Sequence, residues 1–258
     1  CIVMAYVEGH DLEQELDRHG ALEPQRALRL FRGCLEALAV CHSQGVVHKD
    51  LKPANLMLRD PGQPYEALML IDFGVAHAVV DKRLTEEGYC VGTPRYFPPE
   101  YIKSFHVSPA MDVYQMGLIL IEMLTGRSPV QGDVITRVEI NRHGVLSRVE
   151  EIVASSEDKL WRRAMMHLMN SPLWPALEKA LERDPLERYT DAAAFLEGMD
   201  AVRWPELGLL GHGTASVTGL VAPSQGSPTS QLPSAPTLAM APPSPAWVRA
   251  QARQVAPE

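Results

Sequence analysis

His48-Lys49-Asp50-Leu51-Lys52-Pro53-Ala54-Asn55 is the stretch on which the reading of this 258-residue chain turns. It sets a carboxylate, an ammonium and a carboxamide two and then three residues apart, directly before the apolar run Leu56-Met57-Leu58. That run reads as a strand. Seventeen residues after Asn55 comes Asp72-Phe73-Gly74, again straight after an apolar run, Leu68-Met69-Leu70-Ile71. Asp60-Pro61-Gly62 lies between the two runs and is a turn signal. The spacing predicts a hairpin whose ends carry both polar clusters towards one site.

Groups of this kind suit phosphoryl transfer, in which positioning and charge neutralisation supply most of the catalysis. Asp50 can take the proton of an attacking hydroxyl, and Lys52 can offset the charge on the phosphate being moved. Asn55 and Asp72 offer hard oxygen donors, which magnesium combines with water and nucleotide oxygens.

The order His-x-Asp-x-Lys-x-x-Asn, then Asp-Phe-Gly, then Gly92-Thr93-Pro94-x-Tyr96-x-Pro98-Pro99-Glu100 resembles the large lobe of a protein kinase. One such block alone would be weak evidence, whereas three in this order and spacing are specific. The resemblance spans residues 2–200. It implies a mainly α fold with a small β component, a helical kinase-like large lobe with a short catalytic-loop hairpin, and no small amino-terminal lobe in this chain. A Gly-rich phosphate-covering loop, a strand Lys in Val-Ala-x-Lys context and the helix Glu that pairs with it belong to that small lobe, and the sequence contains none of them. Residues 1–12 would be the hinge and the end of the small lobe, 13–203 the large lobe, and 204–258 a Pro/Ala/Ser-rich linker or tail.

Carried over residue by residue, the resemblance makes Asp50 the catalytic base and Lys52 its phosphate-facing partner. ATP and Mg2+ would be the cofactors, with Asn55 and Asp72 as metal ligands and a protein Ser/Thr hydroxyl as acceptor. Met4 would stand at the back of the adenine pocket, Ala5 and Val7 would meet the adenine edge through their backbone, Asp11 would lie near the ribose, and Met57 would floor the pocket. Lys two residues after the base is the Ser/Thr-kinase mark in this family. Lys49 stands where Arg is common, and Lys offers a point charge in place of bidentate phosphate recognition, which puts control by activation-segment phosphorylation in doubt. Ala5 and Ala54 replace frequent glutamates. Thr85, in the segment 75–97, is a candidate phosphorylation site; Thr93 would bond Asp50 and Lys52; Cys90 reads as a spacer. Glu100 would pair with Arg188 as a buried structural bridge. Asp112 reads locally as a helix N-cap, and in the family it also reaches the catalytic-loop backbone. His48, on an apolar approach, is expected to pack in the core.

Two rival readings remain at this level. A pseudokinase or docking module would signal itself by loss of the base or a metal ligand, and none is lost. A small-molecule phosphotransferase on a related fold would usually lack Lys52, Gly92-Thr93-Pro94 and Pro99-Glu100. Taken literally, this polypeptide alone would bind nucleotide poorly and have little or no kinase activity.

Composition narrows the classes further. A net charge of −8 argues against nucleic-acid binding, which needs clustered Lys and Arg. The four cysteines show no paired or metal-ligand spacing, so a reducing compartment, the cytoplasm, is the simplest expectation. No initiator Met or signal-peptide pattern opens the chain, which reads as a fragment. The apolar run 113–124 carries Gln115 and Glu122 and is too short to span a bilayer, so it is expected to be a buried helix.

Residues 2–12 are expected to give a short β-prone run and then a break at Gly9. Helices are expected over 11–19, ending at Gly20; from Pro24 to about residue 45, with Leu28, Phe31, Leu35, Leu38 and His42 on one core-packing stripe; and over 174–181 and 191–199. Residues 127–175 form a longer and less regular excursion than the family usually has. Ile135, Val138, Val145, Leu146, Val149, Ile152 and Val153 suggest amphipathic helices, with extra packing as the first expectation and a partner or substrate surface as the alternative. Residues 205–258 hold nine prolines and four charged side chains, too little to bury against the cost of ordering.

Overall fold

The computed structural model describes residues 8–73 and 94–202. The expectations for Met4, Ala5, Val7, Gly74, Thr85, Cys90, Gly92, Thr93 and the tail lie outside the described residues.

Three antiparallel strands stand in the order β1 (Gly9–Asp11), β2 (Leu56–Arg59), β3 (Ala67–Leu70). The hairpin forms as its residues dictate: Asp60 and Gly62 take left-handed backbone angles, and Leu56 pairs with Leu70. Gly9, expected as a break, instead opens β1 and pairs with Arg59. A Cβ there would lie 2.2 Å from the Leu58 carbonyl oxygen at φ +142°, so only glycine lets the strands approach.

Helix α1 (Leu12–His19) begins where the Asp11 carboxylate accepts from the Gln14 amide at 2.8 Å and ends at Gly20. Helix α2 (Pro24–Ser43) has Pro in its first turn and Glu23 as its cap, and buries Ala27, Leu30, Phe31, Cys34, Leu35 and Leu38. Glu66, beyond the hairpin turn, accepts from the Gly62 amide at 2.9 Å and from Arg26 and Arg29 of α2 at 2.8 and 2.9 Å. Those bonds fasten the hairpin to α2.

A short helix α3 (Pro99–Ser104) leads to α4 (Pro109–Thr125), in which every residue from Ala110 on is buried. A helix apolar all round must be covered all round, and α4 is covered by α2, α7 (Lys159–Met169), α8 (Trp174–Ala180) and α9 (Ala192–Asp200). Ser108 occupies the cap position of α4, so Asp112 sits inside the first turn, and the local reading of Asp112 as an N-cap is corrected. The helix ends at Gly126, where φ is +80° and a Cβ would approach the Ala21 amide nitrogen to 2.8 Å.

The excursion holds α5 (Val134–His143), α6 (Val149–Ser155) and α7. Val145, Val149 and Val153 are buried as expected, but Ile135 is 75% exposed, so α5 does not pack along the predicted apolar stripe. Among the described residues no helix is long and apolar enough to cross a membrane.

Candidate active site

Two side chains on the buried post α4 hold the loop at 48–55 from beneath. Asp112, fully buried, accepts from the amides of His48 and Lys49 at 2.7 and 2.8 Å and from His42 Nε2 at 2.9 Å. Gln115, one turn on, accepts from the Leu51 amide at 3.1 Å and donates to the Lys49 carbonyl at 3.2 Å. Lys49 has φ +73°, a conformation costing a non-glycine residue about 1–3 kcal/mol, which these bonds offset. The resemblance anticipated Asp112; Gln115 was missed, although its spacing puts it on the same helix face.

His42, read as part of a packing stripe, is also a polar link. Its Nδ1 accepts from the Ala192 amide at 3.1 Å, so the ring proton sits on Nε2 and donates to Asp112. The first turn of α9, α2 and the loop anchor thereby share one ring.

His48 is fully buried, as expected. Its Nε2 donates to the Ile71 carbonyl at 2.9 Å and its ring stands 4.5 Å from that of Phe73. Burial pushes its pKa below the ordinary histidine value despite the nearby Asp112 carboxylate. Burial thus favours the neutral ring.

Above this support lie the chemical groups. Lys52 Nζ and Asn55 Nδ2 reach the same Asp50 Oδ2 at 2.9 and 3.0 Å, and Asn55 Nδ2 also donates to the Asp50 carbonyl at 2.7 Å. With its nitrogen committed to Asp50, the Asn55 amide has its oxygen left for another partner. The Ile71 amide donates to the Asn55 carbonyl at 3.1 Å, so Ile71 is bonded through both backbone groups to the loop. Asp72 follows it, exposed and at φ +56°. The hairpin thus brings Asp50, Lys52, Asn55 and Asp72 onto the same zipped backbone. Asn55 and Asp72 are hard oxygen donors suited to a cation that keeps water and phosphate oxygens in its shell.

Of the residues expected to meet a nucleotide, Asp11 and Met57 are paired across β1 and β2 despite their separation in sequence. The Asp11 carboxylate is engaged by Gln14, through both the backbone amide and the side chain.

The segment from Pro94 onward is bound from below. Asn141 Nδ2 donates to the carbonyls of Pro94 and Arg95 at 2.6 and 3.0 Å, and the Tyr96 hydroxyl donates to Glu122 at 2.5 Å. Burial holds the Glu122 carboxyl above its usual range, and pushes the Tyr96 hydroxyl well up. Neither Asn141 nor this use of Glu122 was anticipated, because each partner is distant in sequence. Arg188, 3% exposed, meets Glu100 bidentately at 2.7 Å per arm and donates to the carbonyls of Glu182, Ala110 and Arg183. This is the buried bridge the sequence predicted; removing one partner of such a pair costs about 3–5 kcal/mol.

The protein kinase domain model matches residues 1–198. The serine/threonine-protein kinase drp72 of Corynebacterium efficiens is 31% identical over 247 residues, covering 92% of this chain and 44% of that protein. The serine/threonine-protein kinase PkaA of Streptomyces coelicolor is 35% identical over 188 residues, 73% of this chain and 32% of that protein. The crystal structure of Rad53 1-466 in complex with AMP-PNP superposes with a TM-score of 0.53 at 26% identity, covering 75% of this chain and 44% of that one. The chain spans less than half the length of the curated relatives it matches. By the span of the domain match and the order of its motifs, the chain belongs to the protein kinase family.

Proposed function

We propose that this chain carries the catalytic lobe of a serine/threonine protein kinase that moves the γ-phosphate of ATP to a protein Ser or Thr hydroxyl. The observation that carries the reading is the convergence of Lys52 Nζ and Asn55 Nδ2 on one oxygen of Asp50. Asp50 takes the hydroxyl proton as the oxygen attacks. Lys52 stays beside Asp50 and offsets charge on the transferring group. Asn55 and Asp72 would hold magnesium, which when bound neutralises phosphate oxygens. Met57, and Asp11 beside it in the sheet, border the nucleotide with Met4, Ala5 and Val7; Asp11 reaches a ribose hydroxyl by sharing its carboxylate with Gln14. Lys52 two residues after the base favours Ser/Thr over Tyr as acceptor.

In this reading residues 1–12 are the hinge and the end of the small lobe, 13–203 the large lobe and 204–258 a linker. The free thiols of Cys34 and Cys41 fit a reducing compartment such as the cytoplasm.

The test is transfer of radiolabel from ATP to a generic protein substrate by the protein in its natural full length. Asp50→Asn should lower turnover by about 10²–10⁴-fold, the usual worth of a general base, with unfolding temperature unchanged. Label should appear on Ser or Thr. Undiminished transfer by the variant, or label on Tyr alone, overturns the reading.

A further inference from the structure

The excursion at 127–175 has no part in the proposed chemistry, and its helix α7 has two unlike faces. Trp161, Met165 and Leu168 are buried, and Trp161 Nε1 donates to the Arg127 carbonyl at 3.1 Å, which pins the helix to the end of α4. Packing accounts for that face fully. It does not account for the other.

On the outer side, Leu160 is 82% exposed and Met166 55% exposed. Helical spacing aligns Lys159, Arg163, Met166 and Asn170 as one stripe, with Leu160 and Arg162 at its flanks. A shallow depression of about 460 Å³ follows it, lined by Lys159, Arg162, Arg163, Met166, His167 and Asn170. The helix contains no Asp or Glu, in a chain whose net charge is −8.

The cations here are also unusual in what they touch. Among the described residues Lys159 and Arg163 have no carboxylate partner, and Arg162 donates only to the Ser156 carbonyl, at 3.3 Å. Arg127 and Arg148, close by, are each paired, with Asp158 at 3.0 Å and Glu151 at 3.2 Å. Three unpaired cations beside two bare apolar side chains are what an acidic, partly apolar partner needs.

We propose that the outer face of α7 is a docking surface for an acidic protein segment bearing apolar side chains. Leu160 and Met166 are six residues apart, about 9 Å along the axis, which is the reach of about three residues of extended chain. Two apolar residues at that spacing, flanked by carboxylates, complement the stripe. A bilayer surface is the weaker fit, because two apolar side chains bury little area in a membrane. The inference stands apart from the kinase reading, since binding is measured without turnover.

The test is fluorescence anisotropy of the full-length protein with a labelled peptide of Glu-Glu-Leu repeats, set against a Gln-Gln-Leu peptide and vesicles of phosphatidylserine and phosphatidylcholine. The Glu peptide should bind saturably and more weakly as salt rises. The Gln peptide and the K159E/R163E variant should each lose about tenfold or more in affinity. L160S/M166S should lose a smaller factor, and both variants should unfold at the wild-type temperature because the altered side chains are exposed. No binding of the Glu peptide, equal binding of both peptides, or full affinity in K159E/R163E overturns the proposal. Vesicle binding without peptide binding does so too, and gives the face to lipid.

Discussion

The loop at 48–55 and the helix α7 belong to one compact unit but are held by opposite means. The loop drops Leu51 into the core, but its backbone hangs on directed bonds from Asp112 and Gln115, with Lys49 in a left-handed conformation. Helix α7 is capped by Asp158 and kept in place by a buried stripe of Trp161, Met165 and Leu168. Directed bonds prescribe residue type at almost every position. A buried stripe prescribes one position in three or four and leaves the outer face open to another use.

The largest effect should come from breaking the loop's anchor. Asp112→Ala removes a fully buried carboxylate and orphans three donors, one buried and two partly buried: the amides of His48 and Lys49 and the Nε2 of His42. At about 1–3 kcal/mol for each unsatisfied buried group, the total approaches the whole stability of a typical domain, about 5–15 kcal/mol. Urea unfolding should show a much lower midpoint, and the phosphate transfer proposed above should be lost with it. An unfolding free energy within about 1 kcal/mol of wild type would mean that the loop is held from elsewhere.

The same contrast explains what was legible beforehand. Asp50, Lys52, Asn55 and Asp72 were singled out beforehand because the proposed phosphoryl transfer would use those groups at those spacings. The hairpin was readable because Asp60-Pro61-Gly62 has one conformational use. Helix α4 was readable because an apolar run has nowhere to go except inside. Gln115, Asn141 and the linking role of His42 were not, since each is an ordinary polar residue until a partner 46 or more residues away is brought beside it. Gly9 was misread as a break because glycine signals both a turn and a close backbone approach, and only the neighbouring strand tells which.

An intermediate effect concerns the hairpin's tether to α2. Burial alone would raise the Glu66 carboxyl, but the hydrogen bonds from Arg26, the Gly62 amide and Arg29 outweigh it and bring its pKa down to about 2, against an ordinary 4.5. A carboxyl lowered on folding adds stability that is complete above the unfolded value and disappears as pH falls through the folded one. The tether should therefore be at full strength above pH 4.5 and fade towards pH 2. Glu66→Gln should cost about 1–3 kcal/mol at pH 7, and its acid unfolding curve should be flatter than wild type across that interval. An identical acid slope in both proteins would show that Glu66 is no part of the pH dependence.

The smallest effect decides whether the excursion obeys the packing read from its pattern. Ile135 belongs to an apolar series that predicted an inward face, and an inward Ile truncated to a small side chain costs about 2–5 kcal/mol. In the structure it is 75% exposed on α5, where a change to Ser should shift stability by less than about 0.5 kcal/mol. Thermal unfolding of Ile135→Ser separates the two without ambiguity. A large loss would mean that α5 turns Ile135 inward after all. A negligible one places Ile135 with Leu160 and Met166, apolar side chains of the excursion that folding leaves outside and whose presence folding therefore does not explain.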